Sequence, residues 1–203
     1  MFRTSLQQEI IALCNKHDDC QFMVFSKGVG ITDEFADEVL RVKNLIVCVY
    51  VTGTPDDRKL LRSAAVLHRK KVPYATYCRY DKENQHLFAC EEFFDTMVDV
   101  HVKMTLFFSS LPEEEDQVYR KMIEYRKSKP LVTINFCKDD EITGGCVAGG
   151  RYFLNIDSVG NIQPCFFNKE SDSNIRERSL LEALQAPLMM SYHDAEQPCH
   201  AQK

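Results

Sequence analysis

A chain of 203 residues, 44% apolar and 27% charged with 8 Gly and 7 Pro, has the make-up of a folded protein with its own core, which excludes disordered, fibrous and staple-dependent small scaffolds. The formal net charge of −5, with Lys and Arg scattered, lacks the basic footprint that a phosphate backbone requires, so no nucleic acid partner is expected. The longest wholly apolar stretch, Leu45 to Val51, is too short to cross a hydrocarbon core of about 30 Å, and Met1 to Ile10 interleave Arg, Gln and Glu where a signal peptide needs an apolar run; the expectation is a cytoplasmic protein with no membrane partner.

Strand patterns begin near Gln21 (QFMVFSK), Leu45 (LIVCVYV), Val72 (VPYATYCRY), Val98 (VDVHVKMTLFF) and Leu131 (LVTINFC), so successive starts lie 24, 27, 26 and 33 residues apart, one strand plus one helix each. The runs are nearly continuous in apolar residues, as in strands of a parallel sheet buried on both faces. Between them, Thr32 is positioned to N-cap a helix whose first turn holds Asp33 and Glu34, and Thr54-Pro55-Asp56-Asp57 opens the next with a proline suited to its first position. His101 alternates within the fourth strand pattern and reads as a structural histidine. Pro112 is followed by Glu113 to Asp116, and the segment closes with Arg126, Lys127 and Lys129. These charges complement a helix dipole and read as a solvated helix face.

After Cys137 the character changes. Lys138 to Glu141 is charged, Thr143 to Gly150 is rich in small residues, and Tyr152 to Phe167 reads as a hairpin turning at Asp157-Ser158-Val159-Gly160. Ser179 and Glu182 form a capping box for a short final helix that Pro187 should terminate. The expected organisation is an α/β body over residues 1–137 and a small loop-rich appendage over 138–203.

The gaps between the nine cysteines are 6, 28, 30, 12, 47, 9, 19 and 34 residues, which excludes C-x2-C knuckles and thioredoxin motifs. The first five, Cys14, Cys20, Cys48, Cys78 and Cys90, sit within or beside apolar runs and read as buried small hydrophobes. Cys146 differs, being flanked by Gly144, Gly145, Gly149 and Gly150, and Cys165 follows the hairpin turn. Glycines let backbone N–H groups approach sulfur, an environment that suits cysteine ligands of an iron–sulfur cluster.

On these residues the segment Thr143 to Lys203, with GGCVAGGRYFLNIDSVGNIQPCFF, NIRERSLLEAL and QPCHAQK, resembles the auxiliary-cluster region, of SPASM or twitch type, of radical SAM proteins. That pattern is a cysteine, a spacer, G-x4-C and further cysteines; here it is Cys146, 13 intervening residues, Gly160-x4-Cys165 and Cys199. FSKGVGITDEFADEV, LIVCVYVTG and VPYATYCRYDKEN resemble successive strand–turn segments of the same family's barrel. The resemblance implies an α/β fold, a partial (β/α) barrel of parallel strands followed by a small auxiliary-cluster domain with a β-hairpin. It implies an iron–sulfur cluster, of 4Fe-4S type, on Cys146, Cys165 and Cys199, with Cys137, His193 or His200 completing the set or one iron left open. It implies S-adenosylmethionine contacts at Ser26 and Gly28, although Lys27 stands where an Asn is usual and Thr52 where an acid is usual. The family's C-x3-C-x2-C segment is not in this sequence. The expectation is therefore that the chain is the C-terminal part of such a protein and inactive alone. S-adenosylmethionine would be held only when the missing segment is supplied, for instance by a partner chain completing the barrel. The auxiliary cluster would serve substrate binding or electron transfer in radical-based modification of a peptide or small molecule. The alternative is a degenerate, non-catalytic α/β interaction or structural protein without a cluster.

Other classes are weaker. Gly28-x-Gly30 after a strand suggests a dinucleotide turn, but Asp33 replaces the third glycine and Val51-Thr52-Gly53 supplies no acid for a ribose. There is no G-x-S-x-G elbow, and the histidines at 17, 68, 86, 101, 193 and 200 have no H-E-x-x-H spacing.

Overall fold

The computed structural model describes residues 4–54, 56–139 and 146–194. The chain divides into two compact units, residues 1–136 and 137–203.

Unit 1 alternates helix and strand throughout: α1 (Thr4–Lys16), β1 (Phe22–Ser26), α2 (Asp33–Val42), β2 (Leu45–Tyr50), α3 (Arg58–Arg69), β3 (Tyr74–Arg79), α4 (Glu91–Asp99), β4 (Met104–Phe108), α5 (Gln117–Tyr125) and β5 (Val132–Asn135). The strands form one parallel sheet in the order β1-β2-β3-β4-β5. This strand order never reverses, so there is no switch point of the kind that holds a dinucleotide between two half-sheets. The strand pleat sends alternate side chains to opposite faces. Val47, Val49, Tyr74, Cys78 and Phe107 enter one core with the buried residues of all five helices. Cys48, Ala75 and Leu106 point the other way, into a cluster built from strand residues and Phe136 alone. Helices on one face of a parallel sheet in sequential order are the arrangement of an open (β/α) barrel.

Local chemistry sets the element ends, and several differ from the sequence expectation. Thr32 caps α2 as expected, its hydroxyl accepting the Phe35 N–H. The α3 cap is Asp57 rather than the Thr54-Pro55 pair, because its carboxylate reaches the N–H groups of both Lys59 and Leu60. The acidic run after Pro112 does not lie on one solvated helix: Glu113–Glu115 form a 3-10 turn, and Asp116, fully buried, turns inward to cap α5. His101 is not in a strand. It has φ +63° and sits just after α4, where the His101 N–H bonds Val98 O and the Val102 N–H bonds Met97 O, closing the helix end. Of the first five cysteines, Cys14, Cys48 and Cys78 are buried, whereas Cys20, in the turn before β1, and Cys90, at the N-cap of α4, are exposed.

Unit 2 holds a three-stranded antiparallel sheet, β6 (Asn155–Ile156), β7 (Asn161–Gln163) and β8 (Ser173–Asn174), then α6 (Leu180–Leu184) and α7 (Pro187–Asp194). The β6–β7 hairpin turns at 157–160 as expected; β8 is an addition. The capping box on Ser179 and Glu182 forms on both sides. Pro187 does not simply stop the chain, since it opens α7, where its missing N–H costs nothing. The apolar core among the described residues is small: Ile162, Ala183 and Met189, with Leu154 packed against them.

Candidate functional site

In unit 2 the two cysteine-bearing loops lie side by side. The Gly149 N–H donates to Pro164 O at 3.0 Å, tying the turn after Cys146 to the residue before Cys165. Cys165 then heads a tight turn in which Asn168 N–H bonds Cys165 O at 3.1 Å and the Phe167 N–H points at Cys165 Sγ at 3.5 Å. A backbone N–H on sulfur stabilises a thiolate, and both cysteines are half-buried rather than core residues. These features fit cluster ligation at Cys146 and Cys165.

The glycines act differently from the sequence expectation. A Cβ on Gly149 (φ +68°) would lie 2.2 Å from Tyr192 Cβ, and one on Gly150 (φ +78°) 2.3 Å from Leu184 Cδ2. The Gly149 and Gly150 N–H groups bond Pro164 O and Phe153 O, not sulfur. These two glycines therefore let α6 and α7 pack against the Cys146 loop. Cys137 is half-buried at the start of the unit, while Cys199, His200 and the His193 side chain lie outside the described residues. Among the described residues no three His, Cys, Asp or Glu side chains converge.

In unit 1 the C-terminal ends of the strands form the other candidate surface, since α/β barrels bind ligands there. Ser26 and Gly28 share one turn: Gly28 N–H donates to Ser26 Oγ at 3.1 Å, and Ser63 Oγ of α3 donates to Gly28 O at 3.1 Å. Gly28 has φ +76°, and its Cβ would meet Ser63 Oγ at 2.9 Å, so close approach to α3 accounts for this glycine. Thr52, standing where the resemblance leads one to expect an acid, is itself held by one. Its N–H and hydroxyl both donate to the Asp57 carboxylate, each at 2.9 Å. At the far side Tyr80 Oη donates to Asp116 at 2.8 Å and accepts from Asn135 Nδ2 at 3.1 Å. Burial, then the facing Asp116 carboxylate, push the Tyr80 hydroxyl far up, and the same two causes raise the Cys78 thiol. Sequence reasoning missed both buried carboxylates. The signal available was an acid immediately before each helix-forming segment.

The helix-free face carries an aromatic strip along these strand ends. Phe25 packs edge-on against Tyr77 at 5.0 Å, Tyr50 against Tyr77 at 5.2 Å, and Phe108 stacks on Phe136 at 4.7 Å.

No protein-family model matches the chain, and no curated protein matches it. Among solved structures it is similar to SuiB of Streptococcus suis bound to S-adenosylmethionine, with TM-score 0.63 and 12% identity over 95% of this chain and 53% of that one. It is also similar to SuiB bound to its precursor peptide SuiA, with TM-score 0.65 and 14% identity over 95% and 53%. The chain thus spans about half the length of these SuiB structures. At this identity the likeness establishes the α/β fold of an open barrel.

Proposed function

We propose that this chain is part of a radical SAM protein that modifies a peptide, with an auxiliary iron–sulfur cluster held in unit 2 by Cys146, Cys165 and Cys199. The observation that carries the reading is the pairing of the two cysteine loops through Gly149 and Pro164, with a backbone N–H turned onto Cys165 Sγ. Two further observations support it. Two of the fold neighbours are structures of SuiB, one bound to S-adenosylmethionine and one to a precursor peptide. The apolar core of unit 2 is also small among the described residues, the condition in which a domain of this size ordinarily relies on a metal staple.

When bound, the cluster supplies electron transfer or an iron atom open to a substrate group. The chain's own residues do the rest. Phe167 N–H stabilises negative charge on Cys165 Sγ, and Gly149 and Gly150 admit α6 and α7 close enough to fix the Cys146 loop. In unit 1 the Ser26–Gly28 turn, pinned by Ser63, is the surface assigned to S-adenosylmethionine, and the aromatic strip from Phe25 to Phe136 gives the neighbouring strand ends an apolar face.

The test is iron and acid-labile sulfide per chain after anaerobic reconstitution. The expected result is a loaded chain whose iron falls by at least half in Cys146→Ala and in Cys165→Ala. Unchanged iron in both variants, or a chain that takes up none, overturns the reading in favour of a cluster-free interaction protein.

A further inference from the structure

The β1–α2 loop and the first turns of α3 form one surface. Ser63 Oγ holds Gly28 O, and the Cα of Gly28 faces the Lys59 carbonyl, to which a Cβ there would come within 3.1 Å. Lys27 of the loop and Arg58, Lys59 and Arg62 of α3 are all exposed, and among the described residues none of the four makes an ion pair. Elsewhere on the same helix the cations are matched: Arg69 pairs with Asp33 at 2.5 Å and the following Lys70 with Asp37 at 2.7 Å. Arg58 and Lys59 stand at the positive end of α3, whose first turn holds no acid. That placement costs stability. The acids near this end offset it only in part, since Asp57, which caps the helix, and Asp56 are two charges against four. Two large apolar side chains are exposed at the borders of this surface, Val29 at 43% in the loop and Leu61 at 41% on the flank of α3 away from it.

We infer that this surface is a docking site for an acidic peptide segment carrying apolar side chains, its carboxylates meeting Lys27, Lys59, Arg58 and Arg62 and its apolar groups covering Val29 and Leu61. The inference goes beyond the cluster assignment and is independent of it. The loop is pre-organised for the task, since the Ser26 and Ser63 hydroxyls fix Gly28 from both sides and little order is lost on binding. A nucleic acid fits less well. No aromatic side chain lies in the patch for base stacking, and a phosphate backbone brings no apolar side chains to cover Val29 and Leu61.

The experiment is fluorescence anisotropy of a labelled peptide of alternating Glu and Leu titrated with the full 203-residue chain. Saturable binding that weakens as salt rises is expected. Lys27→Glu with Arg62→Glu should weaken it by about tenfold or more. Lys16→Glu with Lys103→Glu, the same change in net charge away from the patch, should leave it within about twofold of the parent, a difference under 0.5 kcal/mol. The proposal is overturned by absence of saturable binding, by equal weakening in the two double variants, or by an oligonucleotide that binds more tightly than the peptide. Iron content, measured in parallel, tests the cluster reading separately.

Discussion

Asp116 is a fully buried carboxylate that ties three elements together, receiving the hydroxyl of Tyr80, the residue after β3, which also meets Asn135 at the end of β5, and the Tyr119 N–H of α5. Asp116→Ala removes a helix cap and strands a buried hydroxyl, so unfolding free energy should fall by about 2–4 kcal/mol, read by urea denaturation. Cysteine accessibility gives a second check. Burial pushes the Cys48 thiol up to about 12 and raises Cys14 as well, so Cys14, Cys48 and Cys78 should react with a thiol reagent only in denaturant. Cys20 and Cys90 should label in the folded protein, and mass mapping of the adducts distinguishes the sets. Cysteine burial was only partly legible in the sequence, because Cys20 and Cys90 border apolar runs yet fall at a turn and a helix cap. Asp116 was hidden for a related reason. One acid in a run of four looks solvated until the backbone breaks the helix at that residue.

Among the elements, the β6–β7 hairpin depends on Asp157, whose carboxylate accepts the N–H groups of Val159 and Asn161 and the Asn161 side chain, at 2.9, 2.9 and 3.0 Å. Partial burial opposes ionisation, but the hydrogen bonds from Asn161, Val159 and Gly160 prevail and hold the carboxyl below its ordinary 3.8. A depressed acid stabilises the fold above its unfolded value and ceases to do so as pH falls through its folded value. The hairpin amides should therefore lose hydrogen-exchange protection below about pH 4, and Asp157→Ala should show that loss at neutral pH. Helices α2, α3 and α4 are each followed by a left-handed residue that is not glycine: Lys43 (φ 68°), Lys71 (φ 59°) and His101 (φ 63°). Lys71→Gly should raise stability by about 1 kcal/mol in urea melts. These ends account for the error at His101: without the usual glycine, an alternating V-D-V-H-V run looks like strand. The hairpin and the capping box, by contrast, were legible, since turn and cap chemistry is local and needs no tertiary partner.

For the whole molecule, the regular spacing of apolar runs made the parallel α/β sheet readable in advance, because strands covered by neighbours on both sides must be apolar along their length. The sequence did not disclose which sheet face the helices cover, as that depends on crossover geometry and not on composition. Unit 1 has an extensive apolar core and unit 2 a small one among the described residues. On the proposed reading, removing iron with a chelator should lower the melting of unit 2 while leaving that of unit 1 in place. Amide exchange resolved by segment would show it; equal loss in both units would count against a cluster confined to unit 2.

Among the described residues every strand of unit 1 pairs only with its neighbours in sequence, at register separations of 23, 27, 29 and 28 residues. Such a sheet behaves as a one-dimensional array: a strand and its crossover helix can zip onto whichever neighbour is already formed, with no long loop to close first. Gain or loss of a unit at either border leaves the remaining pairings untouched. An architecture of this kind is modular in evolutionary time, and its two outer strands are where further units would be added.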